Sequence, residues 1–279
     1  MKGKLYLCAT PIGNLSDMTP RAVETLKNVD LIAAEDTRNS IKLLNHFDIH
    51  TPMTSYHEFN RFDKADELVR QLLEGKNVAC ITDAGMPGIS DPGEVLVQKC
   101  VEAGIEVTVL PGASAVVSAL AVSGLPTGRF RFEGFLPREK KETQVRLEEI
   151  RSDTATLVLY EAPHRLTRTL ETLLAALGDR KAAICRELTK KHETIERMRL
   201  SEALAHYTAE EPKGEFVLVI EGMDPKEKQD LTRARWADLS IEDHYQKYLD
   251  EGMDRGEAMK KVATDRGIPK REVYQALNG

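Results

Sequence analysis

Cysteine is scarce and unpatterned. The 279 residues hold four, Cys8, Cys80, Cys100 and Cys185, and no two stand close enough for a CxxC metal or redox motif. No metal site is expected. Three of the four lie in apolar, strand-like runs, which reads as buried free thiols in a reducing compartment. Aromatic residues make up only 5% of the chain, with one tryptophan, so base-stacking platforms are few. No apolar stretch approaches the roughly 20 residues of a membrane span. The start, MKGKLYLCATPIGNL, is too polar for a signal peptide, and the expected location is cytoplasmic. Neither GxGxxG nor GxxxxGK[ST] occurs, which speaks against NAD and ATP. Positive charge is not in excess: 39 basic against 45 acidic residues leave a net −6, which excludes a generally basic nucleic-acid coat but not a local basic face.

What is present is an ordinary globular mixture, 41% apolar and 30% charged. At about 150 residues per domain the length suggests about two domains. Short aliphatic runs at 5–10, 31–34, 51–56, 77–82 and 106–110 read as strands. Helical patterns at 20–28, 39–47, 62–73 and 94–103 alternate with them, the first with Thr19 as N-cap and Pro20 at the first helical position. That alternation indicates a parallel sheet with helices on both faces. A second α/β set follows, with strands at 129–135, 156–160, 182–185 and 215–220 and helices at 141–151, 165–177 and 201–207. A Gly/Pro-rich stretch, 111–128, marks the boundary. The expected division is 1–112, 113–222 and 223–279, the last a polar linker at 223–232 and three short helices at 237–249, 256–266 and 270–277.

Gly/Pro punctuation follows the strands of the first set: TPIGNL at 10–15, DAGMPGISDPG at 83–93 and LPGAS at 110–114. Ligands of open α/β sheets bind beyond the carboxyl ends of strands, so three such loops on one edge favour a site. Glycine there lets a ligand approach the backbone. The acidic middle loop suits a cationic or hydroxyl-rich ligand better than a polyphosphate.

With AEDTR at 34–38, EGFLPR at 133–138, YEAPHR at 160–165, RELT at 186–189 and KGEF at 213–216, these blocks stand in an order that resembles the tetrapyrrole methylase superfamily. Within it, the chain is similar to the bacterial small-subunit ribosomal RNA 2′-O-methyltransferases. The resemblance runs from about residue 5 to 222, with a weaker echo, GIPKREVY, at 267–274. It implies two αβα domains, S-adenosylmethionine in the cleft between them, and a homodimer. The implied acceptor is the ribose 2′-hydroxyl of a cytidine in the decoding region of 16S ribosomal RNA. The implied donor contacts are Pro11, Asp83, Ala84, Gly85, Gly88, Ser114, Ala115, Tyr160, Glu187 and Leu188. Met86 stands where relatives commonly carry threonine, which removes a hydroxyl contact.

A ribose hydroxyl is a poor nucleophile until its proton starts to leave, so a base within hydrogen-bond reach assists in-line transfer. Glu35, Asp36 or His57 are the candidates to polarise it, and Arg38 would hold a phosphate or orient a carboxylate. Residues 35–38 equally suit a capping and ion-pair cluster at a helix start, and His57 a surface loop. His164 either lines the cleft or begins a helix.

For RNA, residues 128–192 hold 14 Lys/Arg and 10 Asp/Glu, a local net of +4 that leaves −10 for the rest. Arg129, Arg131, Arg138, Lys140, Lys141, Arg165, Arg168, Lys190 and Lys191 form the expected RNA footprint, or else a solvated, ion-paired face. Phe130, Phe132, Phe135 and Tyr160 read as strand core. The competing functions are a same-fold methyltransferase acting on a small molecule such as a tetrapyrrole, and a non-catalytic ligand-binding module.

Overall fold

A computed structural model describes residues 1–278. The first sheet holds β1 (Lys4–Cys8), β2 (Leu31–Ala34), β3 (Met53–Ser55), β4 (Val78–Ile81) and β5 (Glu106–Leu110) in the order β3-β2-β4-β1-β5. All four pairings are parallel. Period-2 alternation divides the side chains between two layers. Cys8, Ile32, Ala34, Ala79 and Ile81 meet α1 (Pro20–Asn28) and α2 (Thr37–His46). Leu5, Ala33, Val78 and Cys80 meet α3 (Arg61–Leu73) and α4 (Gly93–Glu102). Thr19 caps α1 as expected, its side chain accepting from Ala22 N.

The second sheet is mixed. Ahead of it runs α5 (Ala115–Val122); then come β6 (Phe130–Gly134), α6 (Lys140–Ile150), β7 (Thr156–Glu161), α7 (Pro163–Leu177), β8 (Lys181–Arg186), β9 (Thr194–Arg199), α8 (Leu200–Ala209) and β10 (Phe216–Ile220). Its order is β6-β7-β10-β8-β9; only β6 and β7 pair in parallel. One face buries Leu157, Leu159, Ile184 and Leu218 against α6, α7 and α8. The other buries Val158, Ala183, Cys185 and Val219 against α5, and Ile12 from the loop after β1 enters this layer. Each fully buried leucine contributes roughly 1.5–3 kcal/mol.

Three readings need correction. Residues 194–199 form an edge strand that the sequence reading left out. The Gly/Pro-rich stretch read only as a boundary contains α5, whose Val116, Ala119 and Leu120 are buried. Residues 223–232, read as linker, fall mostly within α9 (Pro225–Arg235), capped by the Asp224 side chain accepting from Lys226 N and Glu227 N. It leads to α10 (Ile241–Asp250), α11 (Arg255–Arg266) and α12 (Lys270–Asn278), which form a separate small core with Trp236, Tyr248, Ala258, Val262 and Val273. Among the described residues no helix is long and apolar enough to cross a membrane.

Candidate active site

The loops after β1 and β4 are stitched together at the carboxyl edge of the first sheet. Thr10 N donates to Gly85 O at 2.9 Å, Gly85 N donates to Thr10 O at 3.1 Å, and Thr10 Oγ1 donates to Thr82 O at 3.0 Å. Gly85 has φ +92°, a left-handed value, and a Cβ there would press Ile12. Further along, Asp91 Oδ1 accepts from Gly88 N at 2.8 Å and Gly93 N at 2.7 Å. Burial raises the Asp91 carboxyl against these two N–H groups, and its Oδ2 is buried with no partner. Tyr56 Oη donates to Pro92 O at 2.6 Å and ties down the end of the loop.

Between this edge and the second sheet lies a cleft of about 590 Å³, within the usual range for small-ligand sites. Glu35, Asp83, Ala84, Gly85, Met86 and Asp91 face it from the first half. Ser114, Ala115, Phe135, Tyr160, His164 and Leu188 face it from the other side. Tyr160 packs edge-on to Phe132 at 5.0 Å and against Phe135 at 5.6 Å. Phe135, read as strand core, is therefore cleft wall, and so is Tyr160, read both as strand core and as a donor contact.

Seven of the ten expected donor contacts line this cleft; Pro11, Gly88 and Glu187 do not. Pro11 precedes Ile12, which does line it, and Gly88 shapes the loop through its bond to Asp91. Glu187 turns aside to hold Lys190. Lys190 Nζ bonds Glu187 Oε1 at 2.9 Å and Glu215 Oε2 at 2.8 Å. Burial raises the Glu187 carboxyl, but the N–H of Glu215 and the Lys190 ammonium outweigh it, and the carboxyl sits below its ordinary value. Glu187 adopts φ +52°, and a Cβ on Gly214 would fall 2.5 Å from its Cγ, so glycine there permits the fold-back. Lys190, expected on an RNA-facing surface, lines the cleft instead, clamped by two carboxylates.

The acidic cluster after β2 divides in two. Glu35 lines the cleft; its Oε2 accepts from Thr82 Oγ1 at 2.5 Å and Asp83 N at 3.3 Å, and Oε1 takes no bond among the described residues. Asp36 caps α2, accepting from Arg38 N at 2.8 Å, and grips the Arg38 guanidinium at 3.1 and 2.8 Å. Those bonds hold the Asp36 carboxyl down to about 2. Asp83 Oδ1 accepts from Asp36 N at 3.2 Å and Oδ2 from Asn39 Nδ2 at 3.1 Å. His57 is not brought to the cleft wall: it follows the edge strand β3, two strands from β4, and its buried Nδ1 has no partner.

Sequence reasoning also passed over Glu161. It is 2% exposed, accepts from Ala162 N at 2.8 Å and Thr169 Oγ1 at 2.5 Å, and pairs with Arg165 at 3.5 Å. It fixes the start of α7 where that helix meets the cleft. All four cysteines are buried. Burial pushes Cys8 up to about 12 and Cys100 and Cys185 up to about 11, so none is a ready thiolate. Among the described residues no group of three or more His, Cys, Asp or Glu is placed to hold a metal.

The family description "Tetrapyrrole (Corrin/Porphyrin) Methylases" matches residues 4–204. The "Ribosomal RNA small subunit methyltransferase I" of Halalkalibacterium halodurans is 52% identical over 274 residues, 98% of this chain and 94% of that protein. The chain belongs to this methyltransferase I family, within the tetrapyrrole methylases. The family's Thermotoga maritima member is 47% identical over 222 residues, spanning all of that protein but 80% of this chain. Among solved structures, diphthine synthase superposes with a TM-score of 0.63 at 16% identity, over 79% of this chain and 90% of that one. At that identity the likeness concerns the fold.

Proposed function

We propose that this cleft transfers a methyl group from S-adenosylmethionine to the ribose 2′-hydroxyl of a cytidine in the decoding region of 16S ribosomal RNA. Family membership makes the chain a methyltransferase of small-subunit ribosomal RNA that uses this donor. The nucleotide, the ribose oxygen and the residue roles are the proposal. One observation carries it: Asp83, Ala84, Gly85, Ser114, Ala115, Tyr160 and Leu188, drawn from both halves, line a single cleft.

The residues present fit such a donor. Carboxylates of Glu35, Asp83 and Asp91 suit a cationic sulfonium and an amine, and the Tyr160–Leu188 side offers apolar surface for a flat base. Pro11, Gly88 and Glu187 act by shaping the loops. When bound, the donor supplies an activated methyl carbon. The chain supplies alignment and a proton acceptor, and Glu35 is the proposed acceptor through its unoccupied Oε1. Asp36 orients Arg38, whose side chain is 88% exposed and free to meet a phosphate. His57, away from the cleft wall, is left with a supporting role in the loop after β3.

The RNA-facing surface is proposed to include Arg129, Arg138, Lys140 and Lys141; Arg165 supports it from a fixed position, and Lys190 is assigned to the cleft. A cytoplasmic homodimer completes the reading. The test is to incubate purified small ribosomal subunits with isotopically labelled donor and map 2′-O-methylation. Label at one cytidine of the decoding region is the expected result. Label that never reaches RNA overturns the reading.

A further inference from the structure

Because β6 and β7 are parallel and each is followed at once by a helix, α6 and α7 both start at the same edge of the second sheet. Between them runs a groove of about 1,040 Å³. Neither helix start is closed by a side-chain cap; at α6 the first-turn N–H groups are left for another acceptor, whereas α7 begins with Pro163, which has no N–H, and Arg165 N donates to Ala162 O at 3.0 Å. Arg138, Lys140, His164, Arg165 and Arg168 line the groove near those starts; Glu148 and Glu171 line it about two turns further on. His164 lines the groove and the donor cleft alike, so the two adjoin at this residue.

The structure also sorts the cations of the second half. Arg131 and Arg146 are paired with Glu133, Arg180 is 9% exposed, and Lys190 is clamped. Arg165 donates to Leu136 O at 2.8 Å and pairs with Glu161. Arg138, Lys140 and Arg168 take no carboxylate partner among the described residues and are exposed. Three free cations and the open N-terminus of α6 gather where the groove adjoins the cleft. Such a surface fits a phosphate backbone rather than a single small anion, because its cations come from three separate side chains, Arg138 before α6, Lys140 on α6 and Arg168 on α7.

We propose that the cleft-proximal end of the α6–α7 groove binds the phosphate backbone of the RNA strand carrying the acceptor nucleotide, with Arg138, Lys140 and Arg168 as its mobile contacts. This rests on the reading of the cleft as a ribosomal RNA methyltransferase site. The strand enters along the groove and passes His164, which delivers the acceptor ribose to the wall bearing Glu35.

The test compares wild type, Arg138→Gln, Lys140→Gln, Arg168→Gln, their triple combination and Lys181→Gln, a cation outside the groove. Binding of labelled single-stranded RNA from the decoding region is followed across salt concentrations, and donor binding by calorimetry. Each groove variant should reduce the slope of log K against log salt by about 0.7, and the triple by about 2, with donor binding unchanged. Lys181→Gln should leave the slope unchanged. An unchanged slope in the triple variant, or an equal loss with Lys181→Gln, overturns the groove. So does loss of inorganic phosphate competition without any loss of RNA affinity. If wild type methylates no ribosomal RNA at all, the functional reading has failed instead, and labelled subunits reveal which.

Discussion

The two sheets do opposite electrostatic work. The all-parallel first sheet ends in loops rich in carboxylates, with Glu35, Asp83 and Asp91 on the cleft. The mixed second sheet presents an aromatic wall inside and free cations outside, in the α6–α7 groove. The difference teaches how an acidic chain can serve both a cationic donor and a polyanionic acceptor. Charge is separated by sheet rather than averaged over the surface, and cations that fall inside the cleft, such as Lys190, are neutralised by paired carboxylates.

The sharpest way to break this division is Glu35→Gln. If the first sheet supplies the proton acceptor, kcat should fall about 10²- to 10⁴-fold while donor affinity holds; single-turnover kinetics on small subunits with kcat unchanged would remove Glu35 from the chemistry. Asp83→Ala comes next. Loss of a charged hydrogen-bonding group of roughly 1.5–3 kcal/mol should weaken donor binding roughly 10- to 100-fold by calorimetry, with the RNA salt slope intact. Lys190→Met should raise the donor KM by a few-fold, since it uncovers Glu187 and Glu215, yet leave that slope alone. A reduced slope would move Lys190 to the RNA face and blur the comparison.

The smallest effect concerns the helical tail, which belongs to neither sheet. His244 is fully buried, stacked on Trp236 at 3.8 Å. Its Nδ1 accepts from Arg266 Nε at 3.1 Å, and its Nε2 lies 3.9 Å from Asp265. Tyr248, Lys247 and Lys261 complete its surroundings. Burial, then Arg266, holds the ring down to about 4 against an ordinary 6.5. A depressed pKa contributes stability that is complete above 6.5 and is lost as pH falls through 4. Trp236 is the only tryptophan, so its fluorescence reports the tail alone. Its denaturation midpoint should drop between pH 7 and pH 5, while methyl transfer by a chain cut after residue 223 persists. A midpoint independent of pH would refute the His244 account.

What the sequence made legible follows from where a single strand or loop decides the outcome. The first sheet was readable because aliphatic runs alternate with capped helices, and the loops after β4 and β5 because Gly/Pro runs end those strands; Asp83, Gly85 and Ser114 within them were implied by the resemblance. Strand β9, TIERMR, was hidden by its charges, which an edge strand tolerates on its exposed side. Helix α5, AVVSALAV, is apolar all round, so it shows no stripe. Helix α9 buries nothing and therefore shows none either. Glu161, Cys185, Phe216 and Val217 were illegible as cleft residues. A strand residue becomes cleft wall only where the covering helix stops, and that is decided between elements.

Ile12 sits on the loop after β1 yet is 8% exposed, packed among residues of the second sheet. It acts as a rivet behind the cleft. Parting the two halves would draw it into water at a cost of roughly 1.5–3 kcal/mol. Elsewhere the 83–93 loop meets the second half more lightly: a Cβ on Gly134 would fall 3.2 Å from Ser90 Oγ, and glycine leaves that space open. Truncating Ile12 should therefore loosen the hold of the loop after β1 on the second sheet by roughly the same 1.5–3 kcal/mol, which a denaturation midpoint would read.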